Sequence, residues 1–236
     1  VAAAPDGTLF VADWTHRHVL VVRPPARGRW LPPAGRFVPR VDGRGRLLLL
    51  DFDSGRLHRF TSEGALEASV VVAPPGSGPL LGVAPDGSAL VAAGGLLRRY
   101  GPERLEPDAS WGPPTQAVPV PGAVGLAAGA ARVWVATSDG SLLVLSEEGR
   151  LLRREPLLGN AGALAPVSGG GLVLADRPTG RVFLLDADGR TTGRLVSAGG
   201  KAPARAPADL AFGPDGTLAV ADGEALELLR VPGASS

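Results

Sequence analysis

Three histidines, His16, His18 and His58, are the only imidazoles in this 236-residue chain. His16 and His18 stand two apart on a turn that runs into a strand, and His58 falls in a different stretch, so no three-ligand zinc set is expected from them. Cysteine is absent, which removes disulfides and thiolate metal sites and leaves the redox compartment unassigned. An oxygen-rich calcium site could draw instead on Asp42, Asn160 and Asp209, each close to the first strand of a repeat described below. Ser77 lies in Pro74-Pro75-Gly76-Ser77-Gly78 without a strand-to-helix context, so a nucleophile elbow is absent. Gly169-Gly170-Gly171 joins two strands and does not open a helix, so it is no phosphate loop. An aspartate recurs at Asp13, Asp51, Asp176 and Asp222. Recurrence at one position of a repeat fits a carboxylate bonding turn amides rather than a catalytic ring. No catalytic residue and no cofactor is therefore expected, and function is to be sought where the repeats differ.

What positions these residues is the repeat itself. Segments beginning at Ala4, Asp42, Ala84, Ala128, Val167 and Gly213 align, with starts 38, 42, 44, 39 and 46 residues apart. That spacing is too long for one coil of a β-solenoid and close to that of a four-stranded propeller blade. In each unit a short strand of small residues leads into a turn such as Pro85-Asp86-Gly87, where Pro presets φ, Asp bonds the local backbone and Gly accepts positive φ. An apolar strand follows, as at residues 47–50 or 133–136, then a polar turn, a third apolar strand and a weaker, more polar segment. Runs such as Leu47-Leu48-Leu49-Leu50 are continuous rather than alternating, so both faces of these strands must be buried. Blades packed face to face provide that environment. The expected fold is all-β, one six-bladed β-propeller of four-stranded antiparallel blades. Its blades divide near 1–36, 37–78, 79–121, 122–160, 161–205 and 206–236. The sixth is expected to be incomplete, with strands near 210–212, 218–221 and 226–231, and an extension upstream of Val1 is expected to supply its fourth.

The units resemble NHL repeats. Val11-Ala12-Asp13 running through Arg17 to Val22 carries the likeness, as do Ala175-Asp176 through Gly180-Arg181-Val182 and the run from Pro207 to Asp222. Blade three departs with Ala93 and blade four with Thr137 where the repeat has Asp, and blade three's second turn is cut to Gly94-Gly95. NHL-like propellers include protein binders, RNA binders and enzymes, so it is the variable loops on a regular frame and the lack of a catalytic constellation that set the expectation of a non-enzymatic propeller serving as a rigid protein-binding or scaffolding module. Six-bladed relatives such as gluconolactonase-type hydrolases and amidating lyases use a metal near the axis, so a metal-dependent hydrolase or lyase is the alternative. The Glu-Asn-Asp set of the gluconolactonase type cannot be placed on this chain residue by residue. An RNA-binding propeller is a second alternative.

Loops between second and third strands share one face of a propeller with the loops between blades, and that face is the expected binding surface. It would carry Trp14, His16 and Arg17 from blade one, Phe52 from blade two, Asp139 from blade four and Arg177 from blade five. Long interblade loops would add Trp111, Lys201 and Arg205, with Trp14 and Trp111 as the anchors of a protein partner.

Residues 1–60 hold ten arginines against five aspartates, a net +5, while the remainder holds fourteen basic against eighteen acidic residues. The total is +1 with a pI near 8.6, a weaker electrostatic footprint than nucleic-acid binders show, so nucleic acid is not the expected partner. The basic sector could instead face an acidic protein or an anionic envelope surface, and an extracytoplasmic location is expected. No apolar run reaches the roughly 18 residues that span a bilayer. Scarcity of Asn, Gln, Cys and Met alongside 23 prolines fits a thermophile as well as a GC-rich genome.

Overall fold

The computed structural model describes residues 1–23, 26–30 as backbone only, 35–112, 117–157, 159–167, 170–195, 207–222 and 225–231. Six antiparallel sheets follow one another along the chain, five of four strands and one of three. Blade one is β1 (Ala2–Ala3), β2 (Leu9–Asp13), β3 (His18–Arg23) and β4 (Ala26–Trp30); blade two is β5 (Phe37–Val41), β6 (Leu47–Asp51), β7 (Arg56–Phe60) and β8 (Leu66–Val71). Blade three comprises β9 (Leu80–Val83), β10 (Ala89–Ala93), β11 (Leu96–Tyr100) and the two-residue β12 (Val118–Pro119). Blade four holds β13 (Ala123–Ala128), β14 (Arg132–Thr137), β15 (Ser141–Ser146) and β16 (Leu151–Pro156). Blade five holds β17 (Ala161–Pro166), β18 (Leu172–Asp176), β19 (Arg181–Leu185) and β20 (Thr191–Leu195), and blade six β21 (Asp209–Phe212), β22 (Thr217–Ala221) and β23 (Leu226–Arg230). Within each sheet every strand pairs with the next in sequence, so the molecule is a six-bladed β-propeller of simple meanders.

Local chemistry sets the hairpins. In blade three Gly87 takes φ +88°, its N–H returns to the Ala84 carbonyl at 2.9 Å, and Asp86 Oδ1 accepts the Ser88 N–H at 2.9 Å. A side chain with a Cβ is strained at that φ, which is why glycine closes the turn.

Packing explains the unbroken apolar strands. Successive side chains of β6 point to opposite faces, so Leu47 and Leu49 pack with Val19 and Phe37 toward blade one, while Leu48 and Leu50 pack with Leu81 and Val91 toward blade three. Blade four repeats the arrangement, Val133 and Val135 facing blade three and Trp134 and Ala136 facing blade five. Each fully buried leucine contributes about 2 kcal/mol of transfer free energy, so the blade interfaces are where stability resides. The interface between blades six and one is the least bulky, built on Val1, Ala211 and Ala219. Outer strands such as β16 lie largely in solvent and carry the polar residues. Among the described residues no helix is long and apolar enough to cross a membrane.

Candidate functional site

The turn between β2 and β3 is where blade one breaks the repeat. In blades two and five the buried aspartate ending the second strand is capped by a hydroxyl three residues on: Ser54 Oγ donates to Asp51 Oδ2 at 2.5 Å, and Thr179 Oγ1 donates to Asp176. The following residue is glycine at positive φ, Gly55 at 67° and Gly180 at 66°, and the next is Arg56 or Arg181. Blade one replaces these three positions with His16, Arg17 and His18. Arg17 adopts the left-handed conformation, φ 54°, that its counterparts reach as glycine. Strain of this kind persists where surrounding structure holds it, and it clusters at functional sites.

The result is a convergent group. Asp13 Oδ1 accepts the backbone N–H of His16 at 3.0 Å, and its Oδ2 lies 2.8 Å from His16 Nδ1. These two bonds from His16 hold the Asp13 carboxyl below the ordinary aspartate range. His18 Nε2 sits 3.8 Å from the same Oδ2. Its side chain is only 2% exposed and this nitrogen has no hydrogen-bond partner, whereas the His16 ring is 66% exposed. One ligand atom from each residue lies within 4.8 Å of the others, and among the described residues this is the one such trio of histidine and carboxylate groups. Sequence reasoning did not assemble it, because Asp13 was absorbed into the structural repeat and the histidines were counted without it. The departure three to five residues after the repeated aspartate was the signal.

An aromatic shelf adjoins the turn. The rings of Trp14 and Phe52 lie 5.6 Å apart, and the Arg36 guanidinium stands 4.9 Å from the Phe52 ring and 5.7 Å from Trp14. Trp14 Nε1 donates to the Phe37 carbonyl at 2.7 Å, fixing the indole across the seam between blades one and two while leaving the residue 45% exposed. Asp53 holds Arg36 through Nη2 at 2.6 Å, and Arg36 in turn keeps the Asp53 carboxyl below its usual range.

Other expected positions are placed differently. Trp111 is not an exposed anchor: it is 2% exposed, packs between blades three and four, and donates Nε1 to the Glu147 carbonyl at 2.7 Å. The reason is that β12 forms at Val118–Pro119, so Trp111 falls in the connection between third and fourth strands, at the opposite face from the expected loops. Asp139 is exposed but committed to Thr137 and Ser141 of its own turn and to Arg154 of β16. Arg177 is exposed on the loop face, its N–H bonded to the Asn160 carbonyl at 3.1 Å. Lys201 and Arg205 lie outside the described residues.

Asp42, Asn160 and Asp209 do not form a calcium set. Asp42 is buried in the β5–β6 turn at the opposite face, accepting from Arg44 N, Arg46 N and Arg46 Nε. Asn160 precedes β17 and is held by its backbone to Asp176, and Asp209 at the start of β21 is bonded to Arg40. Around the axis the inner strands leave a cavity of about 130 Å³ whose wall is mainly Ala, Leu and Val side chains, and among the described residues Arg40 is the one charged side chain lining it. These residues do not fit an axial metal of the gluconolactonase type. Four arginines of the basic sector are ion-paired: Arg23 with Asp6, Arg36 with Asp53, Arg44 with Glu103 of blade three and Arg46 with Asp42.

No family model matches the chain, so the NHL likeness remains one of blade pattern, and no curated protein matches its sequence. Solved structures do match. A catalytically inactive histidine-to-alanine variant of virginiamycin B lyase from Staphylococcus aureus, solved with quinupristin, gives a TM-score of 0.67 at 12% identity over 97% of this chain and 78% of that one. A candidate gluconolactonase gives 0.67 at 16% identity over 95% and 87%. BBS1N in complex with ARL6DN gives 0.63 at 18% identity over 98% and 77%. At these identities the shared property is the propeller fold.

Proposed function

We propose that this chain is a hydrolase or lyase acting at the loop face of blades one and two, on an organic substrate that sets an apolar ring beside a polar reacting group. The carrying observation is the convergence of Asp13, His16 and His18 beside the exposed Trp14. Trp14 and Phe52 offer the apolar moiety a flat shelf, and the carboxylate with its two imidazoles supplies the polar chemistry that ester hydrolysis and elimination both need. The enzymes among the structural neighbours favour this reading over a non-enzymatic scaffold. Purified protein assayed with quinupristin and with a sugar lactone should turn over at least one of them. Activity should fall at least 100-fold in Asp13→Asn and in Trp14→Ala with melting temperature retained. Absence of turnover with both probes, or turnover indifferent to these substitutions, overturns the reading.

A second reading, protein binding through the same shelf, is favoured by the exposure of Trp14 and by the neighbour solved with a protein partner. A partner copurifying with the wild type and lost in Trp14→Ala, in a protein without turnover, would select it.

A further inference from the structure

We infer that Asp13, His16 and His18 form an off-axis metal site in blade one, taking a first-row divalent ion of the zinc class. The inference rests on the proposed function for the use of the ion, and on geometry alone for its binding.

Three observations carry it. First, the donor set is two imidazole nitrogens and one carboxylate oxygen, which suits zinc and its neighbours rather than calcium or magnesium. Second, the spacing is close to what a tetrahedral ion requires. Ligand atoms at the usual 2.0–2.1 Å bond lengths stand about 3.3 Å apart; Asp13 Oδ2 is 2.8 Å from His16 Nδ1 and 3.8 Å from His18 Nε2. Rotation of the exposed His16 side chain would lengthen the first separation, and a shift of the Asp13 carboxylate would shorten the second.

Third, His18 is a buried polar group with an unmet requirement. A buried nitrogen without a partner is costly and is rarely retained without a reason. Nε2 of His18 has none, and it faces the Asp13 oxygen that His16 also approaches. In blades two and five nothing comparable exists, because Ser54 or Thr179 satisfies the aspartate and arginine stands where His18 does. A histidine pair in place of a hydroxyl and an arginine changes a self-satisfied turn into one that offers three ligand atoms to a cation. When bound, such an ion would polarise a substrate oxygen or a water beside the Trp14 shelf.

The test uses tag-free protein, stripped of metal and titrated with zinc chloride by calorimetry, with cobalt chloride followed by its visible absorption. One equivalent should bind with micromolar or tighter affinity and raise the melting temperature. His16→Ser, which restores the hydroxyl of blade two, should leave the fold intact and weaken zinc binding at least 30-fold; Asp13→Asn should do the same, and His58→Gln should not. No stoichiometric binding by the wild type overturns the inference, as does affinity unchanged in both His16→Ser and Asp13→Asn. Turnover in metal-free protein together with no stoichiometric binding overturns the site and leaves the proposed function standing, whereas stoichiometric binding without turnover does the reverse.

Discussion

Arg40 and Asp209 meet in a two-pronged ion pair, Nη1 to Oδ2 at 2.9 Å and Nη2 to Oδ1 at 3.0 Å. They belong to blades two and six, so the pair reaches over the inner strand of the intervening blade one, whose Val1 nitrogen also lies 2.5 Å from Asp209 Oδ2. Burial, the largest influence, would raise the Asp209 carboxyl, but Arg40 and the Val1 ammonium together outweigh it and hold the group below the ordinary range. A carboxyl with a depressed folded pKa contributes stability that is present above its unfolded pKa and lost as pH falls through the folded value. Asp209→Asn should therefore cost about 2 kcal/mol at pH 7, somewhat under the value for a wholly buried pair because both side chains keep some exposure. The cost should shrink below about pH 4; urea denaturation at pH 7 and pH 3 measures it.

Gly149 combines positive φ with a tight contact. Its φ is +82°, and a Cβ there would stand 2.8 Å from the Trp111 indole. Gly140, at φ +79°, has open space around the same position. Gly140→Ala should cost about 1 kcal/mol for the backbone alone, and Gly149→Ala about 3 kcal/mol because the buried indole must also shift. Equal losses in thermal melts would show that Trp111 yields without resistance.

Arg17 occupies a left-handed turn position for which other blades use glycine. Arg17→Gly should raise stability by about 1 kcal/mol by relieving that conformation. If the strain serves the site, zinc affinity or turnover should fall in the same variant; chemical denaturation and calorimetry on one preparation read both.

His58 in β7 is mostly buried, and its Nδ1 lacks a partner. Desolvation lowers its pKa, opposed by the Asp51 carboxylate and aided by Arg56. With the folded pKa depressed, stability is complete above the unfolded value near 6.5 and declines as pH falls toward the folded one. His58→Gln should flatten the decline between pH 7 and 5 by up to one proton's worth, about 1.4 kcal/mol per pH unit. An unchanged slope would assign the titration elsewhere.

The fold was legible because each structural demand left a mark at fixed spacing. Continuous runs such as Leu47–Leu50 registered burial on both faces, and Pro-Asp-Gly registered the hairpins. Trp111 was misplaced because β12 is two residues long and leaves almost no pattern, so a connection within blade three read as one between blades. The trio in blade one was hidden differently. Its members were all visible in sequence, but Asp13 matched the repeat, and only the turn geometry brings His18 back to the oxygen that His16 approaches.

The small central cavity has a consequence for solvent. At about 130 Å³, lined by alanine, leucine and valine together with Arg40 and Phe212, it has room for a few ordered waters, and the Arg40 guanidinium at its wall would give them a donor to bind.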